Sequence, residues 1–325
     1  MTQVPPTAGT IRGARRVGLM PWSGGLSRLS VSQQDNLYGY LFLLPWFVGM
    51  VAITLGPILA SLALAFTDYS ILGAPHWIGL TNFVTMFTAD ARYLTAVRTT
   101  LTYVAIAVPL VLVWGLVLAL LLNQGLKLLP LFRAIFYIPS LLGTSVAVAI
   151  LWYYIFGKDG LINLALLRPL GIQGQSYVGD PSFALYTLVV LNLWAFGSGM
   201  IIFLAGLRQI PTDLYEAAEL DGAGAWARFW RITLPLLTPV LFFNAVLGLV
   251  GGFQAFTSAF VISGGTGGPA DATLMYQVYL YQRGFVNLNM GYACAMAWVL
   301  LTVIAVCTGV LFWTQKFWVF YGEDR

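Results

Sequence analysis

Charge is what this 325-residue sequence has least of. Asp, Glu, Lys and Arg make up 9% of it and hydrophobic residues 59%, where an average soluble domain carries roughly 25% charged residues. That balance excludes an ordinary water-soluble domain and points to a chain dissolved in lipid. The one histidine, His76, has no companion ligand near it, so no metal site is nominated. The only cysteines, Cys294 and Cys307, lie thirteen residues apart in one apolar run. Along a helix that is about 20 Å, too far for a disulfide. Lysine is scarce as well: Lys127, Lys158 and Lys316 are followed by Leu128, Asp159 and Phe317. None completes the glycine-rich phosphate loop that ends in Lys and then Ser or Thr, so an ATP-hydrolysing site has to belong to another chain. Asp68, Asp90, Asp159, Asp180 and Asp271 stand at dissimilar spacings and form no converging acid, base or nucleophile set, which argues against a membrane transferase and nominates no catalytic residue. The sixteen Lys and Arg residues are scattered instead of gathered into a stripe, which argues against nucleic-acid binding.

What is abundant is long apolar sequence. A bilayer core about 30 Å thick takes roughly 20 apolar residues in a helix, and six runs qualify: Leu37 to Phe66, Thr99 to Leu122, Ala134 to Phe156, Phe183 to Leu207, Leu236 to Ser263 and Gly291 to Trp313. None contains an ionisable Asp, Glu, Lys, Arg or His, which disfavours a proton relay or voltage sensor. The expected fold class is all-α, a polytopic membrane protein with six transmembrane helices and both termini cytoplasmic. The orientation follows from eleven basic residues on one side, Arg12, Arg15, Arg16, Arg28, Lys127, Arg133, Arg208, Arg228, Arg231, Lys316 and Arg325, against five on the other, Arg92, Arg98, Lys158, Arg168 and Arg283. Residues 1–36 read as a basic cytoplasmic tail with no secretory signal, 37–315 as the membrane domain and 316–325 as a short cytoplasmic tail. Trp46, Trp152, Trp194, Trp298 and Trp313 lie near run ends, where an indole suits the headgroup level.

Between the fourth and fifth runs, residues 208–235 form a loop with the sharpest local signals. Pro211 suits a helix start, Asp213 and Glu216 place negative charge near the positive end of its dipole, and Gly222 supplies a left-handed stop. Leu214 and Tyr215 offer bulk for a pocket on another protein. A second short helix is expected from Trp226 to Ile232, ending before Pro235. An amphipathic helix on the headgroups explains these signals as well. The spacing says more: Glu216, Ala217, Ala218, then Gly222, Ile232, Leu234 and Pro235, extended by Asp221, Ala223, Phe229 and Pro239, closely resembles the EAA loop of permease subunits of binding-protein-dependent ATP-binding-cassette importers. The likeness covers most of the chain and is closest to the carbohydrate-uptake branch, the maltose-type and glycerol-phosphate-type permeases. Ala119 to Gln124, Tyr137 to Ser140, Trp152, Phe156, Gly160, Asn163, Asn192, Leu193, Trp194 and the run from Gly264 through Gly268 to Pro269 agree with it. The segment between the first two runs lacks the large inserted domain of the maltose-type subunit.

The resemblance implies a partner set: a second six-helix permease subunit, two ATPase subunits that hold the ATP and Mg, and an external solute-binding protein, all at a prokaryotic plasma membrane. No cofactor is expected on this chain. It also implies that Glu216, Ala217, Ala218, Asp221, Gly222, Ile232, Leu234 and Pro235 couple the ATPase to the spans. A polyhydroxylated solute needs aromatic faces and amide or hydroxyl groups along its path. Asn192, Trp194, Asn244, Gly251, Phe253, Gln254 and Thr257 supply these, with Asn244, Gly251 and Gln254 on one helical face. Buried amides also glue helices together and glycines permit close packing, so both readings stand at this point. Glycerol 3-phosphate or its diesters, or a self-sufficient carrier, are the alternative functions.

Overall fold

The computed structural model describes residues 31–124, 129–143 and 145–321, with side chains from Asn36 onward. The four tail arginines, Lys127 and Arg325 lie outside the described residues. The chain divides into two units, residues 1–58 and 59–325. The first is helical from Val31 through Leu55, and Tyr40, Phe42 and Ile53 are among its exposed apolar side chains.

The second unit is also helical. Among the described residues it contains no strand, only the isolated bridges Thr67 to Trp77 and Ser70 to Asn289. Its elements are α1 (Thr81–Thr88), α2 (Ala91–Leu122), α3 (Leu129–Leu142), α4 (Val146–Phe156), α5 (Ala184–Trp194), α6 (Gly197–Gln209), α7 (Thr212–Leu220), α8 (Leu234–Phe253), α9 (Thr257–Ile262), α10 (Tyr276–Tyr281) and α11 (Met290–Trp318). Among the described residues four helical stretches are long and apolar enough to cross a membrane, Asn36–Leu64, Ala91–Leu122, Ala225–Ile262 and Met290–Trp318; the count rises to six if the bent pairs α3 with α4 and α5 with α6 are each one span. The third and fourth expected spans are thus each two helices. The first pair breaks at Gly143, whose φ is +56°, and the second bends by 47° between Trp194 and Gly197.

Helix α2 is the centre of the packing, against α5, α6 and α8. Two apolar clusters share it. One is built on Tyr93, Tyr103, Leu191, Phe253, Met275 and Met296. The other gathers Leu116, Leu122, Phe203, Leu207 and Leu237. In lipid such clusters hold through close packing more than through expulsion of water. Gly206 shows the closeness: a Cβ there would stand 2.7 Å from Val240 Cγ2 and 2.9 Å from Leu237 Cδ1, so a side chain at this contact of α6 and α8 would force its neighbours to shift.

Proline shapes three helices in one way. The residue just before each proline reaches five residues back for its carbonyl: Gly56 to Val51 before Pro57, Arg168 to Asn163 before Pro169, and Leu234 to Phe229 before Pro235. Proline has no N–H and its ring collides with the carbonyl four residues back, and one widened turn relieves both problems. The helix expected to end before Pro235 therefore runs on. Ala225–Arg228 passes through the wide turn Phe229–Thr233 into α8, and Pro235 sits in the first turn of that helix.

Candidate functional site

Helix α7 starts at Thr212 with Pro211 as its N-terminal cap. Its end is closed by two bonds, Ala223 N–H to Ala218 O at 2.8 Å and Gly222 N–H to Glu219 O at 3.0 Å. Gly222 sits at φ +80°, the left-handed turn that lets the last carbonyls be paired in this way. Glu216 and Ala217 are exposed and Ala218 is half-buried. Asp221 is exposed on the cap, and Leu220 is 91% exposed and Trp226 74%. Arg228 donates to Glu219 at 2.9 Å across the turn. Tyr215, expected to project, instead packs inward: its hydroxyl lies 2.9 Å from Thr233 Oγ1. With Phe229, Ile232 and Leu234 it rests against the cluster of Leu116, Phe203 and Leu237. The outer face of the loop helix is open while its inner face is fixed to α2, α6 and α8.

The second feature is a cavity of about 460 Å³ where two helical runs break at one place. Asn192, Ala195 and Phe196 line it at the bend between α5 and α6, and Gln254, Ala255 and Phe256 line it at the gap between α8 and α9. Asn244, Gly251 and Thr257 complete the set expected from sequence that meets there. Two expected residues do not reach this wall. Phe253 is buried in the apolar core, and Trp194 packs on Trp152 with ring centroids 5.5 Å apart. Among the described residues no Asp, Glu, Lys, Arg or His lines the cavity. Asn244 Nδ2 donates back to Val240 O at 3.0 Å, and Asn192 Nδ2 donates to the Tyr103 hydroxyl at 2.8 Å. Irregular backbone at membrane depth is tolerated only where it is covered by protein or lines a cavity, and this one lines a cavity.

Residues 112–317, more than half of the chain, match the family described as "binding-protein-dependent transport system inner membrane component". The probable ABC transporter permease protein YesP of Bacillus subtilis (strain 168) is 49% identical over 90% of this chain and 95% of its own length. The lactose transport system permease protein LacF of Rhizobium radiobacter is 31% identical over 89% and 98%. A crystal structure of a bacterial alginate ABC transporter, in complex with a periplasmic protein carrying an alginate pentasaccharide, contains a chain with the same fold. The TM-score is 0.78 at 23% identity, covering 89% of this chain and 97% of that one. The chain belongs to this family of inner-membrane transport components.

The permease also holds a polar knot that sequence spacing did not show. Asp90, 8% exposed, caps α2 through the backbone N–H of Tyr93 at 3.0 Å. It also accepts from the hydroxyls of Tyr279 and Tyr292, each at 2.7 Å, and from Arg283 Nη2 at 2.6 Å. The guanidinium lies over both rings, 5.2 and 5.0 Å from their centroids. Burial pushes the Asp90 carboxyl up, but the bonds from Tyr279, Tyr292, Arg283 and the Tyr93 backbone outweigh it and hold the group down at about 2. Burial together with the Asp90 bond pushes Tyr279 up to about 12. Beside this knot Arg92 grips Asp271 with two nitrogens at 2.9 and 2.7 Å and Thr266 O at 3.0 Å, while Gln282 donates to Gly265 O at 2.6 Å. The glycine-rich run after the fifth apolar segment is thereby tied to the start of α2. Trp152, one of the indoles at the run ends, is buried against protein and donates to Thr187 O at 3.1 Å.

Proposed function

We propose that this permease is one of two six-span membrane subunits of an ATP-driven importer for a sugar or related polyhydroxylated solute, with both termini cytoplasmic, in a prokaryotic plasma membrane. The observation that carries the reading is the meeting of two broken helical runs at one cavity, with amides and hydroxyls and no charged group among the described residues of its wall. Transport pathways are built from interrupted helices of this kind, because the freed backbone and small polar side chains face a solute instead of lipid. Asn192, Asn244, Gln254 and Thr257 would meet the solute.

The relatives' names support the solute class: LacF is a lactose permease and the alginate transporter carries a saccharide. Among the described residues no cation lines the cavity, which favours a sugar over glycerol 3-phosphate or its diesters. An external binding protein delivers the solute, and two ATPase subunits hold the ATP and Mg. Helix α7 is the coupling piece. Its open face, with Glu216, Ala217, Asp221 and Gly222, docks on an ATPase, and Ile232, Leu234 and Pro235 carry its displacement into α8. The proposed cycle is alternating access: ATP-driven closure of the ATPases opens the cavity outward, and nucleotide release returns it inward.

The test is mass spectrometry of everything that co-purifies with this chain after gentle extraction from its native membrane. An ATP-binding-cassette ATPase and a second six-span subunit are expected. A chain that repeatedly emerges alone and carries solute in vesicles without ATP overturns the reading.

A further inference from the structure

Tyr103 on α2 stands in the cavity wall, 4% exposed, with its hydroxyl fixed by the N–H of Asn192 at 2.8 Å. A phenol that accepts one bond still has a proton to give, and an amide that gives one N–H still has a carbonyl oxygen to receive. Among the described residues neither the Tyr103 proton nor Asn192 Oδ1 has a partner, and both residues line the same void. The bond between them fixes the distance from the spare donor to the spare acceptor before any solute arrives.

We propose that Tyr103 and Asn192 form a two-pronged subsite for neighbouring hydroxyls of one sugar ring, Tyr103 donating to one hydroxyl oxygen and Asn192 Oδ1 accepting from the other. This rests on the cavity being the solute pathway. A solute lacking either hydroxyl leaves a buried polar group without its partner, so the pair selects more than it attracts. Val108 and Leu191, also in the wall, are apolar and offer the ring no competing hydrogen bond.

The assembled transporter, with its partner subunits and held by ATP and vanadate, is titrated with labelled lactose, arabinotriose, maltotriose and an alginate trisaccharide. Monodeoxy derivatives of whichever binds are then compared. Wild type is expected to lose roughly three- to tenfold in affinity for derivatives altered at either of two neighbouring carbons. Tyr103→Phe is expected to bind the parent sugar correspondingly more weakly and to stop distinguishing one of those derivatives. Val113→Ala, at an exposed position of the same helix outside the cavity wall, keeps the distinction. If wild type shows no neighbouring pair of sensitive carbons, or if Tyr103→Phe still discriminates, the subsite is overturned. Tyr103 is then only a helix-to-helix bond, and the solute pathway is left standing. If wild type binds none of the four sugars, the sugar reading itself falls and the subsite with it.

Discussion

The Asp90 knot and the α7 loop are both clusters of charged and aromatic residues, yet they treat their polar groups in opposite ways. In the knot every oxygen of the carboxylate is taken: a backbone N–H, two phenols and a guanidinium converge on a residue that is 8% exposed. In the loop Glu216 and Asp221 face solvent, and Leu220 and Trp226 are left uncovered beside them. A polar group satisfied inside the protein contributes to stability. One left open beside uncovered apolar side chains is surface that a partner can complete. The knot is finished structure, and the loop is complete only on its inner face, where Tyr215 meets Thr233.

That contrast breaks hardest at Asp90. Asp90→Ala removes the acceptor for four donors and leaves the Arg283 guanidinium, 29% exposed, without its carboxylate. A loss of roughly 2 to 3 kcal/mol is expected, read as a lower unfolding temperature of the purified permease, with Asp90→Asn intermediate. Acid tests the same knot without mutation. The Asp90 pKa is depressed from 3.8 to about 2. Its contribution is therefore present above pH about 4 and lost as the pH falls toward 2. A transition over that window that is absent in Asp90→Ala, and no dependence on Asp90 between pH 5 and 8, is the expected record. Equal acid sensitivity in both proteins removes Asp90 as the cause.

Gly222→Asp sharpens the comparison from the other side. A side chain at φ +80° costs roughly 1 to 2 kcal/mol locally and frays the cap that Ala223 and Gly222 close. Because the inner face of the loop stays packed, overall unfolding is expected to move little. Solute-stimulated ATP hydrolysis and uptake by the assembled transporter are expected to separate. Normal uptake with normal stimulation rejects the coupling role of α7.

How far each region was legible follows from how far apart its residues lie in the chain. The start and stop of α7 are local chemistry, so Asp213 and Gly222 were readable from their neighbours, and the apolar runs follow from composition alone. Asp90 and Arg283 meet across 193 residues, and Tyr103 and Asn192 across 89, and no spacing rule joins them. The bends were hidden for another reason. Trp194 to Gly197 and Gln254 to Phe256 carry no proline, so their runs read as continuous, and only packing around a cavity opens them. Phe253 and Gln254 show the cost of that: neighbours in the chain, one is buried in the core and the other lines the void. Pro235 misled in the reverse sense, since the wide turn at Phe229–Thr233 lets the helix continue through it.

The smallest effect expected belongs to the ion pair that the loop makes among the described residues. Arg228 and Glu219 lie 2.9 Å apart, the same order as the 2.6 Å between Arg283 and Asp90, yet Glu219 is 72% exposed where Asp90 is 5% by side chain. Water and salt screen the first pair more than the second, so geometry alone does not rank them. Arg228→Ala is expected to leave the unfolding free energy within about 0.5 kcal/mol of wild type. Any loss it causes belongs in uptake, through the uncovered face beside Trp226, and not in stability. A stability loss as large as that of Asp90→Ala shows that the loop is as finished as the knot, and the distinction between the two regions then fails.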